Sequence, residues 1–241
     1  MRGWWREISG LVLPVACGGC GRPRTELCER CAGALYGRPA RRARPVPEPE
    51  GLPVVHAAAA YTDAVRAVLL AHKERGATGL SRPLGRALAG AVRASAGARV
   101  APYGALLLVP VPSARRAVRA RGHDPARRIA LAAAAELRGT GCPAQVLPVL
   151  RQHRPVADQA GLTARERLVN LSGALRLRQG AARLLKGGTA VLVDDLMTTG
   201  ASLVEAARAL SAASEVDGPG FVRLGAAVVA VPPLSFEINR N

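Results

Sequence analysis

The stretch AVLVDDLMTTGASL, Ala190 to Leu203, decides the fold of this chain. Ala190–Val193 is a short uncharged apolar run, the pattern of a strand buried in a sheet core, and Asp194 and Asp195 fall where its carboxyl end would emerge. Thr198, Thr199, Gly200, Ala201 and Ser202 then form a small hydroxyl-bearing turn, and the pattern from Ala201 to Leu210 predicts a helix. A turn of that kind at a helix N-terminus offers hydroxyls and backbone N–H groups to an anion. Carboxylates accept hydrogen bonds from vicinal ribose hydroxyls and uncharged donors receive a phosphate. The segment therefore reads as a cradle for a ribose 5-phosphate.

Outward from this cradle, apolar runs alternate with helical stretches from Val54 onward. They are Val54–Ala60, Asp63–Ala71, Leu80–Ala94, Ala105–Val109, Pro125–Leu137, Val146–Leu150 and, beyond the 190s strand, Gly225–Val231. Strand alternating with helix predicts an α/β fold with a mostly parallel, doubly wound sheet and ligands at the strand carboxyl ends. The reading divides the chain into a cysteine module at 11–36, a Pro-rich linker at 37–53, the α/β domain at 54–231 and a tail at 232–241. The linker assignment rests on the density of Pro, Arg and Glu and the lack of apolar periodicity there. No function follows from the tail sequence PPLSFEINRN.

A chain of 241 residues can bury one good core with a small appendage. No apolar stretch reaches membrane-spanning length, and the run Ile8–Ala16 abuts Glu7 and leads at once into cysteines, so a cytoplasmic protein without a signal peptide is expected. The formal net charge of +17 fits a polyanionic partner such as DNA. It equally fits the codon bias of a GC-rich genome, because Lys73 and Lys186 are the only lysines and nearly all the positive charge is Arg. That bias singles out Lys73 as a site wanting a compact ammonium rather than a planar fork. Few aromatic residues are present, which excludes base-stacking platforms of the single-strand-binding kind.

Cys17, Cys20, Cys28 and Cys31 form two C-x-x-C knuckles close enough for one tetrahedral thiolate site. Four soft ligands predict structural Zn²⁺ with no open coordination position, and the expected compartment disfavours disulfides. Cys142, unpaired by spacing, is expected to be a small core residue.

The order of strand, acidic pair, T-T-G and small hydroxyl residue resembles the phosphoribosyl pyrophosphate (PRPP) motif of type I phosphoribosyltransferases. Thr198 stands where many salvage members carry an acid that protonates or orients the base. Three further stretches, LLAHKERG (Leu69–Gly76), VPVPSARRAVRARGHDPARRIA (Val109–Ala130) and DQAGLTARERLVNLSGAL (Asp158–Leu175), together with the four-cysteine knuckle, resemble the ComF family of competence-associated phosphoribosyltransferase-like proteins over roughly residues 11–231. The resemblance implies the type I phosphoribosyltransferase fold with a hood. It assigns Pro112–His123, with Arg115, Arg116, Arg119 and Arg121, to a diphosphate-binding loop and Lys73 to a cation reaching the same group. Gln159, Leu162, Arg167 and Asn170 match the family's lid region, where closure would exclude water during glycosyl transfer. Asp124 is expected to cap the helix that begins at Pro125, and His123 reads as an ordinary loop residue that can also donate to phosphate. The implied ligands are PRPP or a ribose 5-phosphate-containing nucleotide, with Mg²⁺ accompanying PRPP. The implied roles are glycosyl transfer or non-catalytic PRPP recognition in DNA uptake, with DNA or a DNA-uptake protein as a partner.

Overall fold

A computed structural model of the chain describes residues 15–97, 104–159, 161–217 and 223–236. The expected start of the cysteine module at 11–14, most of the run Ile8–Ala16, and tail residues 237–241 lie outside the described residues. In chain order the elements are α1 (Glu29–Tyr36), β1 (Arg41–Ala43), β2 (Val55–Ala60), α2 (Asp63–Glu74), α3 (Ser81–Ala96), β3 (Leu106–Pro110), α4 (Arg115–Arg121), α5 (Pro125–Gly139), β4 (Ala144–Val146), β5 (Leu150–Gln152), α6 (Ala164–Leu171), β6 (Leu175–Leu177), β7 (Thr189–Leu196), α7 (Ala201–Asp217) and β8 (Arg223–Val231). The expected α/β fold with a mostly parallel central sheet is what these elements build. The main sheet runs β1-β2-β8-β7-β3-β4, parallel throughout except for β1, which is antiparallel to β2.

Apolar runs work here as fully buried strands because both faces of the sheet are covered. Leu106, Leu108, Val191, Val193, Ala227 and Val229 pack against α2, α3 and α5. The alternate residues Leu107, Val109, Leu192, Ala226 and Val228 pack against α7 and the β5–β6 region on the other face. A one-residue register slip would exchange these two sets. Packing is close where α3 crosses α5: a Cβ added at Gly85 would lie 2.7 Å from the carbonyl carbon of Ala132, which is backbone and cannot yield. Truncating a wholly buried side chain such as Leu108 is expected to cost about 2–5 kcal/mol.

Several segments differ from the sequence expectation for identifiable reasons. Inside the expected linker, Arg41–Ala43 form an edge strand with only Ala43 buried. A three-residue, arginine-bearing edge strand flanked by prolines leaves no apolar period to read. The start of the tail folds back on it, with Arg44 N–H donating to Ser235 O at 2.7 Å and the Arg41 guanidinium 4.3 Å from the Phe236 ring centroid. Pro112–His123 is not all loop, since α4 occupies Arg115–Arg121 and ends at Gly122 with φ +73°. Ala and Arg are both strong helix formers, and that propensity sets the local structure. The run Val146–Leu150 is a corner in which β4 ends and β5 begins, with Pro148 between them. Strands β5 and β6 pair antiparallel as a separate ribbon, and α6 lies in the connection between them. Among the described residues no helix is long and apolar enough to cross a membrane.

Candidate functional site

Strand β7 delivers Asp194 and Asp195 to the carboxyl edge of the sheet, beside the end of β3, where Pro110 is registered against Val193. The turn after it needs Gly200, whose φ is +79° and whose added Cβ would meet Leu52 Cδ1 at 3.0 Å. Helix α7 starts immediately afterwards at Ala201, whose N–H donates to Thr199 Oγ1 at 3.5 Å. Thr198 is exposed, and its hydroxyl accepts from Arg167 Nη1 of α6 at 3.2 Å.

The two carboxylates occupy unlike environments. Asp195 is buried and pairs with Lys73 Nζ at 2.8 Å, a contact spanning 122 residues of sequence. Burial works against the charge on Lys73, but the charge and hydrogen bond of Asp195, helped by Asp194, outweigh it and hold the lysine pKa above its ordinary value. Asp194 Oδ1 accepts from the backbone N–H of Asp195 at 2.8 Å. Burial, reinforced by the charge of Asp195, pushes the Asp194 carboxyl well above the usual carboxylate range. A buried acid whose proton affinity is raised beside a second carboxylate is a feature of sites that handle polar ligands.

Lys73 sits in the last turn of α2, and His72 of the same turn is fastened to the α4–α5 loop. His123 lies with its Nε2 3.2 Å from the backbone oxygen of His72, and the two rings meet edge-on at 5.7 Å between centroids. His72 is completely enclosed, and burial holds its pKa below the ordinary value. Arg121 anchors through its Nε to Ala117 O at 3.1 Å, while its Nη1 stands 3.6 Å from Glu74 Oε1, beyond hydrogen-bond length. The same Nη1 is buried without a hydrogen-bond partner. The strand end thus gathers Asp194, Asp195, Lys73 and, through Arg167, Thr198, with Arg121 near enough for its charge to act on Lys73. Thr199, Gly200, Ala201 and Ser202 follow as the turn and first residues of α7. Arg119 does not join this group, and lines a cleft whose walls include none of those residues. Asp124 caps α5 as expected, accepting from Arg127 N–H at 3.2 Å.

The segment expected to form a lid is tied down by its own network. Thr163 and Glu166 form a capping box that starts α6. Asn170 exchanges both amide hydrogen bonds with the backbone of Ala157, at 3.2 Å and 3.0 Å. A residue the sequence reading missed anchors the ribbon to α7. Glu205 of α7, buried and paired with Arg208 Nε at 2.7 Å, accepts the backbone N–H groups of Gly173 at 3.0 Å and Leu175 at 2.7 Å. Its only sequence signal is a lone Glu three residues before Arg in the otherwise apolar run LVEAARAL.

The second constellation lies at the other end of the chain. The sulfurs of Cys17, Cys20, Cys28 and Cys31 are all within 4.8 Å of one another. Cys20 and Cys28 sulfurs are 3.6 Å apart, near the edge of about 3.8 Å that tetrahedral Zn–S bonds of about 2.3 Å require. All four are free thiols, so this donor set can hold one metal ion and is compatible with zinc. Burial opposes ionisation of Cys17, yet backbone N–H donors led by Cys28 outweigh it and bring its pKa down to about 6. Burial and the neighbouring cysteines push Cys31 up to about 12. A cation would settle that contest in favour of four thiolates. The knuckle also leans on the main domain, because Leu35 of α1 is wholly buried in the core beside α2 and α3. No protein-family model matches this chain, and no curated protein matches it.

Proposed function

We propose that this chain is a ComF-like phosphoribosyltransferase of the type I fold, whose strand-end site binds PRPP with Mg²⁺ and whose cysteine knuckle holds a structural Zn²⁺. The observation that carries the reading is the meeting of Lys73 with Asp195 at 2.8 Å beside Arg121, because PRPP needs acceptors for its ribose diol and cations for its diphosphate side by side. Asp194 and Asp195 take the diol, Thr199 and the N-terminal turn of α7 take the 5-phosphate, and Arg121 takes the diphosphate. The diol reaches Asp195 only when Lys73 Nζ moves off it, and the freed ammonium then gains the diphosphate as its counter-ion. Asp194 and Asp195 are the oxygen donors that suit Mg²⁺, whose charge, when bound, would offset that of the departing diphosphate.

In the reaction the C1–O bond to the diphosphate breaks, the diphosphate keeps the electron pair, and an acceptor nucleophile bonds to C1. Arg121 and Lys73 stabilise the charge that develops on the leaving oxygen. Arg167, holding Thr198, fixes the lid helix over the turn and keeps water from C1. Thr198 in place of a carboxylate supports a second reading, a PRPP-binding module with little turnover that acts in DNA uptake, because no side chain there can exchange a proton with the acceptor.

Mg²⁺-dependent PRPP titration into the full chain, followed by a nucleobase screen for pyrophosphate release, tests both. Binding with turnover supports the enzyme, and binding without turnover supports the module. Unchanged PRPP affinity in a folded Asp194→Ala, Asp195→Ala variant defeats the site assignment altogether.

A further inference from the structure

Arg119 and Arg121 are two residues apart on α4, and side chains at that spacing leave a helix in different directions. Arg121 approaches Glu74 and the strand-end site. Arg119 instead lines an open cleft of about 290 Å³ bounded by α4, the start of α5 and strand β5. Arg127 of α5, Arg151 of β5 and Arg178 beyond β6 bring the guanidiniums on its walls to four.

The charges in this cleft are not balanced from within. Among the described residues, Arg119, Arg127 and Arg151 have no ion-pair partner. Asp124 is the one carboxylate on the wall, and its Oδ1 is engaged by the Arg127 N–H at 3.2 Å and by Ser113 Oγ at 3.5 Å. Arg178 donates from Nε to Pro148 O at 3.2 Å, which pins its fork at the rim. Four like charges around one hollow repel one another and favour an anion that bridges them. Between the arginines the wall is apolar, formed by Pro112, Val118 and Leu150. A bare phosphate would leave that surface wet, whereas a planar base would cover it, and arginine forks also stack on base planes. The volume lies at the small end of the roughly 300–1,000 Å³ typical of ligand pockets, which suits one mononucleotide and is too narrow for a duplex.

We infer that this cleft is a second anion site, separate from the strand-end site, that binds a mononucleotide with its phosphate on the arginine rim and its base against Pro112, Val118 and Leu150. The assignment does not depend on PRPP binding at the strand end.

The test uses the full-length protein carrying Asp195→Ala and Thr199→Val, so that binding at the strand-end turn is disabled if it exists. Calorimetric titration with adenosine 5′-monophosphate should still show one site per chain. Adding Arg127→Ala and Arg151→Ala, both exposed positions, should weaken it by at least about tenfold, the loss expected for removing charge-assisted hydrogen bonds. Ribose 5-phosphate, which lacks the base, should bind the same cleft more weakly than the nucleotide. Nucleotide binding that is absent in the first background, or unchanged by the arginine pair, overturns the site. Equal affinity for the two probes overturns the nucleotide assignment. Charge reversal at Arg127 and Arg151 in the same Asp195→Ala, Thr199→Val background gives a second reading of the same loss, with thermal melting as the check on folding.

Discussion

The cysteine knuckle and the strand-end site are built on opposite plans. The knuckle draws all four ligands from residues 17–31, so its geometry is local and its charge is incomplete without a cation. The strand-end site draws on residues 73, 121, 167 and 194–195, and it neutralises its buried acid internally through Lys73. A local site of this kind can be assembled by its ligand, whereas a dispersed one exists only after the sheet has formed. Damage to the knuckle should therefore appear as lost metal and local order, and damage to the strand end as altered binding or pH response.

The sharpest challenge to that contrast is Cys28→Ser. Structural zinc in isolated fingers is worth about 10–16 kcal/mol, so metal content should fall from about one ion per chain to none, measured by elemental analysis. Hydrogen exchange should quicken across 17–36 while PRPP affinity stays put. Equal loss of PRPP binding would mean that the two regions are one unit, joined through Leu35.

Next in size is Glu205→Ala, which leaves the N–H groups of Gly173 and Leu175 without their charged acceptor. Hydrogen bonds to a charged group contribute about 1.5–3 kcal/mol, and denaturant unfolding should register a loss of that order. Burial opposes ionisation of Glu205, but Arg208 and the two backbone donors hold its pKa below the usual range. Its contribution is thus present above the ordinary glutamate pKa and lost as pH falls through the lowered one. A variant as stable as the parent at neutral pH would show that the ribbon does not depend on α7.

Arg121→Ala should weaken PRPP by about 1.5 kcal/mol and leave ribose 5-phosphate nearly unaffected, since only PRPP carries the diphosphate. Calorimetry with both ligands separates the cases, and equal losses would mean that Arg121 serves the 5-phosphate instead.

The smallest expected effect is at Asp194. A carboxyl whose pKa is raised in the folded state stabilises fully below its unfolded pKa, and that contribution is lost as pH climbs through the raised value. Asp194→Asn keeps the Oδ1 acceptor for Asp195 N–H without the charge. It should melt slightly higher than the parent at neutral pH, by about 1 kcal/mol or less, with the gap closing toward acid. A gap that widened toward acid would reverse the assigned proton affinity.

What could be read in the sequence follows the same division. Two C-x-x-C pairs fix a site by spacing alone, and the apolar run before Asp194 with the T-T-G after it fixes a strand, a turn and a helix start. These signals live within a few residues of one another. Lys73 drew notice as a rare cation and, through the resemblance, as a partner for a diphosphate, but its carboxylate partner 122 residues away is a product of sheet order that no local pattern encodes. Glu205 was invisible for the same reason, because its acceptor role depends on where β6 comes to lie. Helix α4 was hidden differently: its arginines read as a charged loop, although Ala and Arg favour a helix.

One feature at the sheet margin bears on how this protein behaves in a crowded solution. The β2 flank is closed by three residues, two of them arginines, and the turn ending at Phe236 lies against that closure. The opposite flank ends in the equally short β4. A second molecule seeking to extend the sheet would find a positively charged stub on one side and three residues of backbone on the other, too little to template a fibre.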